Sequence, residues 1–504
     1  MRGLALLVFL AGPAAAEVRF EDRSNALPTH VYDGGWEHFV GGGVAVFDCN
    51  GDGLPEIFAA GGENPARLFL NRGGFAFEEA PLPELTGVTG AYPLDLDGDG
   101  TLDLYVMRAG PNVALKGGWD CGFTDWTASW RLEGGDGWTT AFTAWVEPGD
   151  DRPTLAIGNY VDRDDPEGPF GTCDTHRILR PTEMKVYPRD RMAGPVRLQG
   201  VWSGTELSPG FCSLSMLAAE DARGRMTLRI SNDRHYYVRG GAEQMWDIEE
   251  QRFLGPEDGW EGPQLWGMGI ASRDLNGDGA DEVMLTSMGD QLLQIAEGDG
   301  YVAAPFEMGT TAHRPHLGDD GRPSTGWHAE FGDVDNDGRP DLFIAKGNVD
   351  QMPGNAMEDP NSLLMQEAGG TFREVAGEAG VAAVARSRGA ALADFDGDGR
   401  LDLVVVNRRA PMGLWRNVSD AGGFVTVEVV PRRIGGRVEL RTATGMQSQQ
   451  VTVGGGHAGG SALPLHFGIG EAAGAEVRFV SPDGRVGDWR EVTAGGQLVL
   501  NAGG

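Results

Sequence analysis

Positive charge is scarce in this chain of 504 residues. Forty-one Lys and Arg stand against 74 Asp and Glu, a formal net charge of −33. A surface of that sign repels a phosphate backbone, which excludes nucleic acid as a partner. Long apolar runs are scarce too. The stretch that comes nearest, LALLVFLAG at the N-terminus, is too short to span a bilayer. It lies between Arg2 and the small residues Ala14-Ala15-Ala16, the order of a secretory signal, with cleavage expected before Glu17. No later segment is apolar enough to cross a membrane, so an exported chain, periplasmic or secreted, is expected. Cysteine is limited to Cys49, Cys121, Cys173 and Cys212. In an oxidising compartment these allow two disulfides in three connectivities, with sequence proximity leaning towards Cys49–Cys121 and Cys173–Cys212. Catalytic signatures are missing: there is no H-E-x-x-H, C-x-x-C, G-x-x-x-x-G-K-[ST] or G-x-S-x-G.

Glycine, by contrast, is abundant, at 80 residues beside 40% hydrophobic content. That pairing reads as many short strands joined by tight turns, because glycine takes positive φ without steric cost. The acids are clustered. DCNGDGLPE, DLDGDGTLD, DLNGDGADE, DVDNDGRPD and DFDGDGRLD begin at residues 48, 95, 274, 333 and 394, all on the pattern D-x-[DN]-x-D-G-x-x-[DE]. Calcium is a hard cation that takes six to eight oxygens, and alternate positions of a curled loop place side-chain oxygens on one side. The expected ligands are Asp48, Asn50, Asp52 and Glu56; Asp95, Asp97, Asp99 and Asp103; Asp274, Asn276, Asp278 and Glu282; Asp333, Asp335, Asp337 and Asp341; and Asp394, Asp396, Asp398 and Asp402. An EF-hand closes with Glu at position 12 between helices. Here the acid stands at position 9 and the flanks, such as VAVF and LVVV, read as buried strands.

Spacings of 47, 59 and 61 residues between successive loops suit one four-stranded propeller blade each. Between 95 and 274 two decayed copies fit. AEDARGRMTL puts Ala219, Arg223 and Thr227 at the first, third and last of the four ligand places, so Arg223 is expected to supply positive charge where an ion would sit. Residues 144–157 form another copy without the ligand pattern. The expectation is an all-β chain: a signal at 1–16, a seven-bladed β-propeller over 17–420 with five calcium ions, and a small all-β domain over 423–503.

These motifs resemble FG-GAP/VCBS repeats of integrin-type propellers, and the wider pattern resembles bacterial relatives of the cartilage acidic protein family. WEHFVGGGVAVFDCNGDG, SNDRHYY, WGMGIASRDLNGDG, RPSTGWHAEFGDVDNDG and AKGNVDQM carry the likeness. LPLHFGIGEA and SPDGRV are similar to the ASPIC/UnbV domain, although VRFVSPDG lacks the tryptophan that often precedes the proline. The resemblance implies a calcium-loop propeller outside the cytoplasm and no settled activity.

Residues just before the first strand and just after the second strand of each blade are expected to gather at the channel mouth opposite the metals. Those singled out are His38, Asn232, Asp233, Arg234, His235, Trp266, Trp327, His328, Lys346, Asn348, Arg388 and Arg408. Aromatics with forked donors suit a glycan, a protein surface or another polar ligand; the bland alternative is that they satisfy strand ends. A binding module is the leading reading. An enzyme using acids and histidines at the mouth is the runner-up, and a purely structural protein the third. The GGG runs at 41–43 and 454–456 read as a strand approach and a hairpin turn.

Overall fold

The computed structural model describes residues 17–132, 134–165, 172–186, 196–233, 241–311, 323–350 and 354–502. The signal at 1–16, Arg234 and His235 lie outside the described residues. Among the described residues seven four-stranded antiparallel sheets precede a C-terminal pair of sheets. The innermost strands are Val44–Phe47, Val88–Leu94, Thr139–Trp145, Ser213–Glu220, Gly267–Arg273, Gly326–Gly332 and Ser387–Ala393. Each touches the next, and the seventh touches the first, so the blades close a ring around one axis. All seven are buried along nearly their whole length. An inner strand packs on both faces against neighbouring blades, which removes the alternation a half-solvated strand would show.

The ring is closed by the chain's own start. Phe20–Asp22 pairs antiparallel with Gly413–Asn417 and supplies the fourth strand of the last blade. Three residues without a hydrophobic pattern carried no signal of that pairing in the sequence. Two disulfides are present, Cys49–Cys121 and Cys173–Cys212. The first ties the loop after the first inner strand to the turn between the third and fourth strands of the second blade. Among the described residues no helix is long and apolar enough to cross a membrane.

In the C-terminal domain Gly423–Val430 lies between Leu465–Gly470 and Gly496–Asn501, the latter running parallel to it. A second sheet of Met446–Gln450, Arg437–Arg441, Gly474–Val480 and Arg490–Thr493 faces it. Val425, Val427 and Val429 alternate inward and meet Val438, Leu440, Phe467 and Val477 in a core of their own. The domain is seated on the propeller face that carries the Asp/Gly loops. The Asn336 carbonyl accepts the Gly470 amide at 2.8 Å, His466 Nε2 lies 2.7 Å from Asn336 Oδ1, and Arg437 pairs with Glu220 at 2.8 Å.

From that face residues 453–461 run up into the channel and back. Val453, Gly454, Gly456, Gly459 and Ser461 bridge to inner strands at Ala144, Leu217, Ile270, Ala91 and Val46. The two GGG runs are thus the two sides of one contact. A Cβ on Gly43 would stand 1.9 Å from the Ala458 oxygen, and one on Gly90 1.7 Å from it. Only glycine on the inner strands lets the hairpin pass.

Candidate metal loops and the filled channel

Each of the five Asp/Gly loops joins an inner strand to the next strand of its blade, and their geometry repeats. The first aspartate accepts backbone amides from within its own loop. Asp48 Oδ2 takes the Gly53 amide at 2.8 Å, and Asp95, Asp274, Asp333 and Asp394 take those of Gly100, Gly279, Gly338 and Gly399 at 2.7–3.0 Å. Those glycines have φ between +82° and +92°, the left-handed conformation the turn demands. The position-9 acid accepts the amide of residue 2 of its loop: Glu56 from Cys49, Asp103 from Leu96, Glu282 from Leu275, Asp341 from Val334 and Asp402 from Phe395, at 2.8–3.0 Å. These bonds aim the acids back into the curl.

The position-9 acids are fully buried. Burial pushes the carboxyls of Glu56, Asp103 and Glu282 up to about 7 and that of Asp402 up to about 8, and the neighbouring loop carboxylates push the same way. Asp341 is raised as well, by burial and then by Asp333 and Asp335. Such acids favour a cation beside them, because a double positive charge offsets both the lost solvation and the mutual repulsion. In three loops, three carboxylates come within 4.8 Å of one another: Asp95, Asp97 and Asp99; Asp333, Asp335 and Asp341; and Asp394, Asp396 and Asp402. The loops at 48 and 274 carry Asn50 and Asn276 at position 3, where an amide oxygen stands in for a carboxylate. An all-oxygen donor set of this kind fits calcium better than a softer metal.

The two decayed copies hold themselves together in other ways. In the fourth blade Asp221 is paired by Arg225, which donates at 2.6 and 2.9 Å. The sequence pointed to Arg223 for this role. Arg223 instead turns outward, its Nε donating to the Asp299 carbonyl at 2.8 Å. The tight turn closed by Gly224 N to Asp221 O carries residue 225, not 223, back alongside the carboxylate. In the third blade Glu147 is paired by Arg180 at 2.9 Å.

At the opposite mouth His38, Trp327, His328, Asn348, Arg388 and Arg408 come together, and they are buried. Trp327 is fully enclosed, with its Nε1 donating to the Gly347 carbonyl. Arg388 is stacked 4.2 Å from the Trp327 ring centroid and donates to the carbonyls of Phe39, Gly347, Ser387 and Asn348. Arg408 donates to the His38 and Gly34 carbonyls and pairs with Asp350 at 3.0 Å. Asn232 donates to the Ala242 carbonyl and Gln244, and Asp233 accepts the Tyr160 hydroxyl. His38, Lys346 and Asn348 are buried, and Trp266 is partly buried in an aromatic cluster with Trp36, Phe39, Trp138 and Tyr160. The donors of Trp327, Arg388, Arg408 and Asn232 are thus spent largely on the protein's own carbonyls.

Part of the reason is the hairpin from below, read from the sequence as a turn but not as one that enters the channel. His457 sits at its tip with no exposed surface, 4.9 Å from the Trp327 ring. Its backbone N–H donates to His328 Nδ1 at 3.1 Å, and its Nε2 accepts the Gly41 amide at 3.2 Å. Burial, then the Arg388 charge, drives the His457 imidazole down to about 3, so it is neutral. His328 Nε2 in turn meets Glu330 at 3.2 Å. A carboxylate–histidine pair is the arrangement acid–base chemistry would use. Here both ring nitrogens of His328 are engaged, one of them by the hairpin, so the pair locks the hairpin tip in place. The glycines of GGGHAGG were the available signal, since they permit close backbone approach.

A family model for the FG-GAP-like repeat matches residues 48–106, 274–344 and 333–405, and one for ASPIC and UnbV matches residues 431–504. No curated protein matches the chain. Among solved structures, BBS1N in complex with ARL6DN is similar with a TM-score of 0.44 and 9% identity, over 80% of this chain and 97% of that one. A triple arginine-to-alanine mutant of AofleA from Arthrobotrys oligospora is similar with a TM-score of 0.38 and 11% identity, over 70% and 88%. With its ring of four-stranded sheets and the loops that match, the chain is an all-β propeller of FG-GAP-like repeats carrying a C-terminal ASPIC and UnbV domain.

Proposed function

We propose that the protein is an exported, calcium-loaded propeller that acts as a binding module for a polar ligand, with five ions held by the loops at 48, 95, 274, 333 and 394. The carrying observation is the repeated placement of a buried position-9 acid against a position-1 aspartate whose oxygens are fixed by loop amides. That construction stores like charges in low dielectric, and a divalent cation is what neutralises them. Export is supported by the two disulfides, which persist in oxidising compartments. In that setting the four-residue ligand sets named above would bind calcium through their side chains.

Elemental analysis of the dialysed protein tests the metal assignment and should return about five equivalents, one per intact loop. Asp335→Ala should remove one equivalent, whereas Asp221→Ala in the decayed fourth-blade loop should remove none. Calcium content far below five, or an unchanged content in Asp335→Ala, would contradict the proposal. Mass spectrometry of the exported protein should find Glu17 as its first residue.

A further inference from the structure

We infer that the space between the Asp/Gly-loop face and the C-terminal domain binds a neutral saccharide chain, a reading that rests on the binding-module proposal above and locates its site. The two domains do not meet over the whole face. Around the stem of the hairpin they leave a cavity of about 1220 Å³, roofed by residues such as Thr426, Glu428 and Gln449 and floored by inner-strand ends and metal loops.

Two side chains there turn groups towards the space that no hydrogen bond of the fold takes up, although the Arg273 charge also lies near the carboxylates of Asp281, Asp333 and Asp274. Arg273 ends the fifth inner strand, lines the cavity and is 8% exposed. Its guanidinium lies 5.7 Å from the Phe467 ring centroid, and it makes no hydrogen bond or ion pair among the described residues. Its five N–H donors are left to the open space beside them, whereas Arg388 and Arg408 of the same propeller spend theirs on carbonyls and an aspartate. The Arg273 donors face a space large enough for a ligand to take them. The second is Trp119, on the rim of the same cavity and 99% exposed. Its turn is anchored: Asp120 and Cys121 take φ of 56° and 58°, and Cys121 is disulfide-bonded to Cys49 in the first metal loop. An indole held fully in water on a covalently tethered turn gains nothing for folding. It offers a flat apolar platform.

The lining chooses the ligand class. It carries nine Asp and Glu against three Arg, which repels polyanions. A neutral polyhydroxylated chain presents acceptors to Arg273, donors to acids such as Glu330 and Asp151, and a C–H face to Trp119.

Cellohexaose, mannohexaose and chitohexaose, titrated calorimetrically into the calcium-loaded full chain, test the assignment, with decalysine and polygalacturonate as rival probes. At least one hexasaccharide should bind with a submillimolar Kd, and Trp119→Ala and Arg273→Gln should each weaken it by about tenfold or more. Trp119 is exposed, so its replacement leaves the fold unburdened even where Arg273→Gln does not. Binding by none of the hexasaccharides, or by decalysine or polygalacturonate alone, overturns the inference. A hexasaccharide that binds the parent and both variants alike removes the site from this cavity but leaves the binding-module proposal standing. Calcium content of the same samples reports separately on the metal loops.

Discussion

Excess chelator should lower the melting temperature of the protein by tens of degrees, and added calcium should restore it. The empty loops confine twenty ligand side chains, eighteen of them carboxylates, and five of these acids are buried at position 9. Five bound calcium ions of +2 would offset ten charges, taking the formal charge from −33 to −23. A site present only in the folded state contributes roughly 2.7 kcal/mol when free calcium is 100 times its dissociation constant. Five such sites sum to about 13 kcal/mol, comparable with the whole stability of an ordinary domain. The arginines and lysine nearby offset little of this loss. Lys116 reaches Asp97 and Asp99, and Arg416 reaches Asp396 and Asp398, but each is a single charge partly in water. Differential scanning calorimetry with and without chelator measures the effect. Superimposable curves would mean that the loops are ordinary Asx turns.

The second large effect is expected at a residue outside the Asp/Gly loops. Gly90→Ala should destabilise the protein by about 3 kcal/mol or more, measured by denaturant titration, because the new Cβ has no space to occupy. The atom it meets, the Ala458 carbonyl oxygen at 1.7 Å, is backbone and cannot rotate away. Either the inner strand Val88–Leu94 moves, which breaks its ladder to Asp103–Arg108, or the hairpin leaves the channel. The second outcome exposes residues 453–461 and loosens the C-terminal domain, so limited proteolysis should then cut there. Gly369→Ala provides the control, since nothing lies within 4 Å of the Cβ it would add and its φ is not in the left-handed region. Equal stability of the two variants would show that the hairpin is not seated as described.

Much of this was legible in the sequence, for identifiable reasons. The Asp/Gly loops are local: all their ligands fall within nine residues, and the hydrogen bonds that shape them run between neighbours such as Asp48 and Gly53. Local geometry repeats wherever the local pattern repeats, so copies at 95, 274, 333 and 394 could be read from the first. Spacing then led to the two decayed blades. Where it erred, at Arg223, the error was one of turn geometry, because a tighter turn shifted the residue facing Asp221 by two positions. Of the mouth residues, Trp327, Arg388, Asn348, His38 and Arg408 lie beside one another, but their burial was hidden. Nothing in Arg388 or Trp327 announces that both will be enclosed, because much of what lies against them, Phe39 and His457 included, is distant in sequence.

The sequence by itself determined the repeat, the donor chemistry of each loop and the all-β architecture, since each rests on contacts among residues close in the chain. Tertiary structure alone decided three matters. Phe20–Asp22 completes the last blade because a ring needs a partner for its open edge, and only the fold brings residue 20 to residue 417. The hairpin at 453–461 fills the channel because glycines at 43 and 90 leave room that no local pattern explains. Arg273 and Trp119 border one cavity because a separate domain is seated across the loop face, which brings a strand end and a surface turn to the edge of the same space.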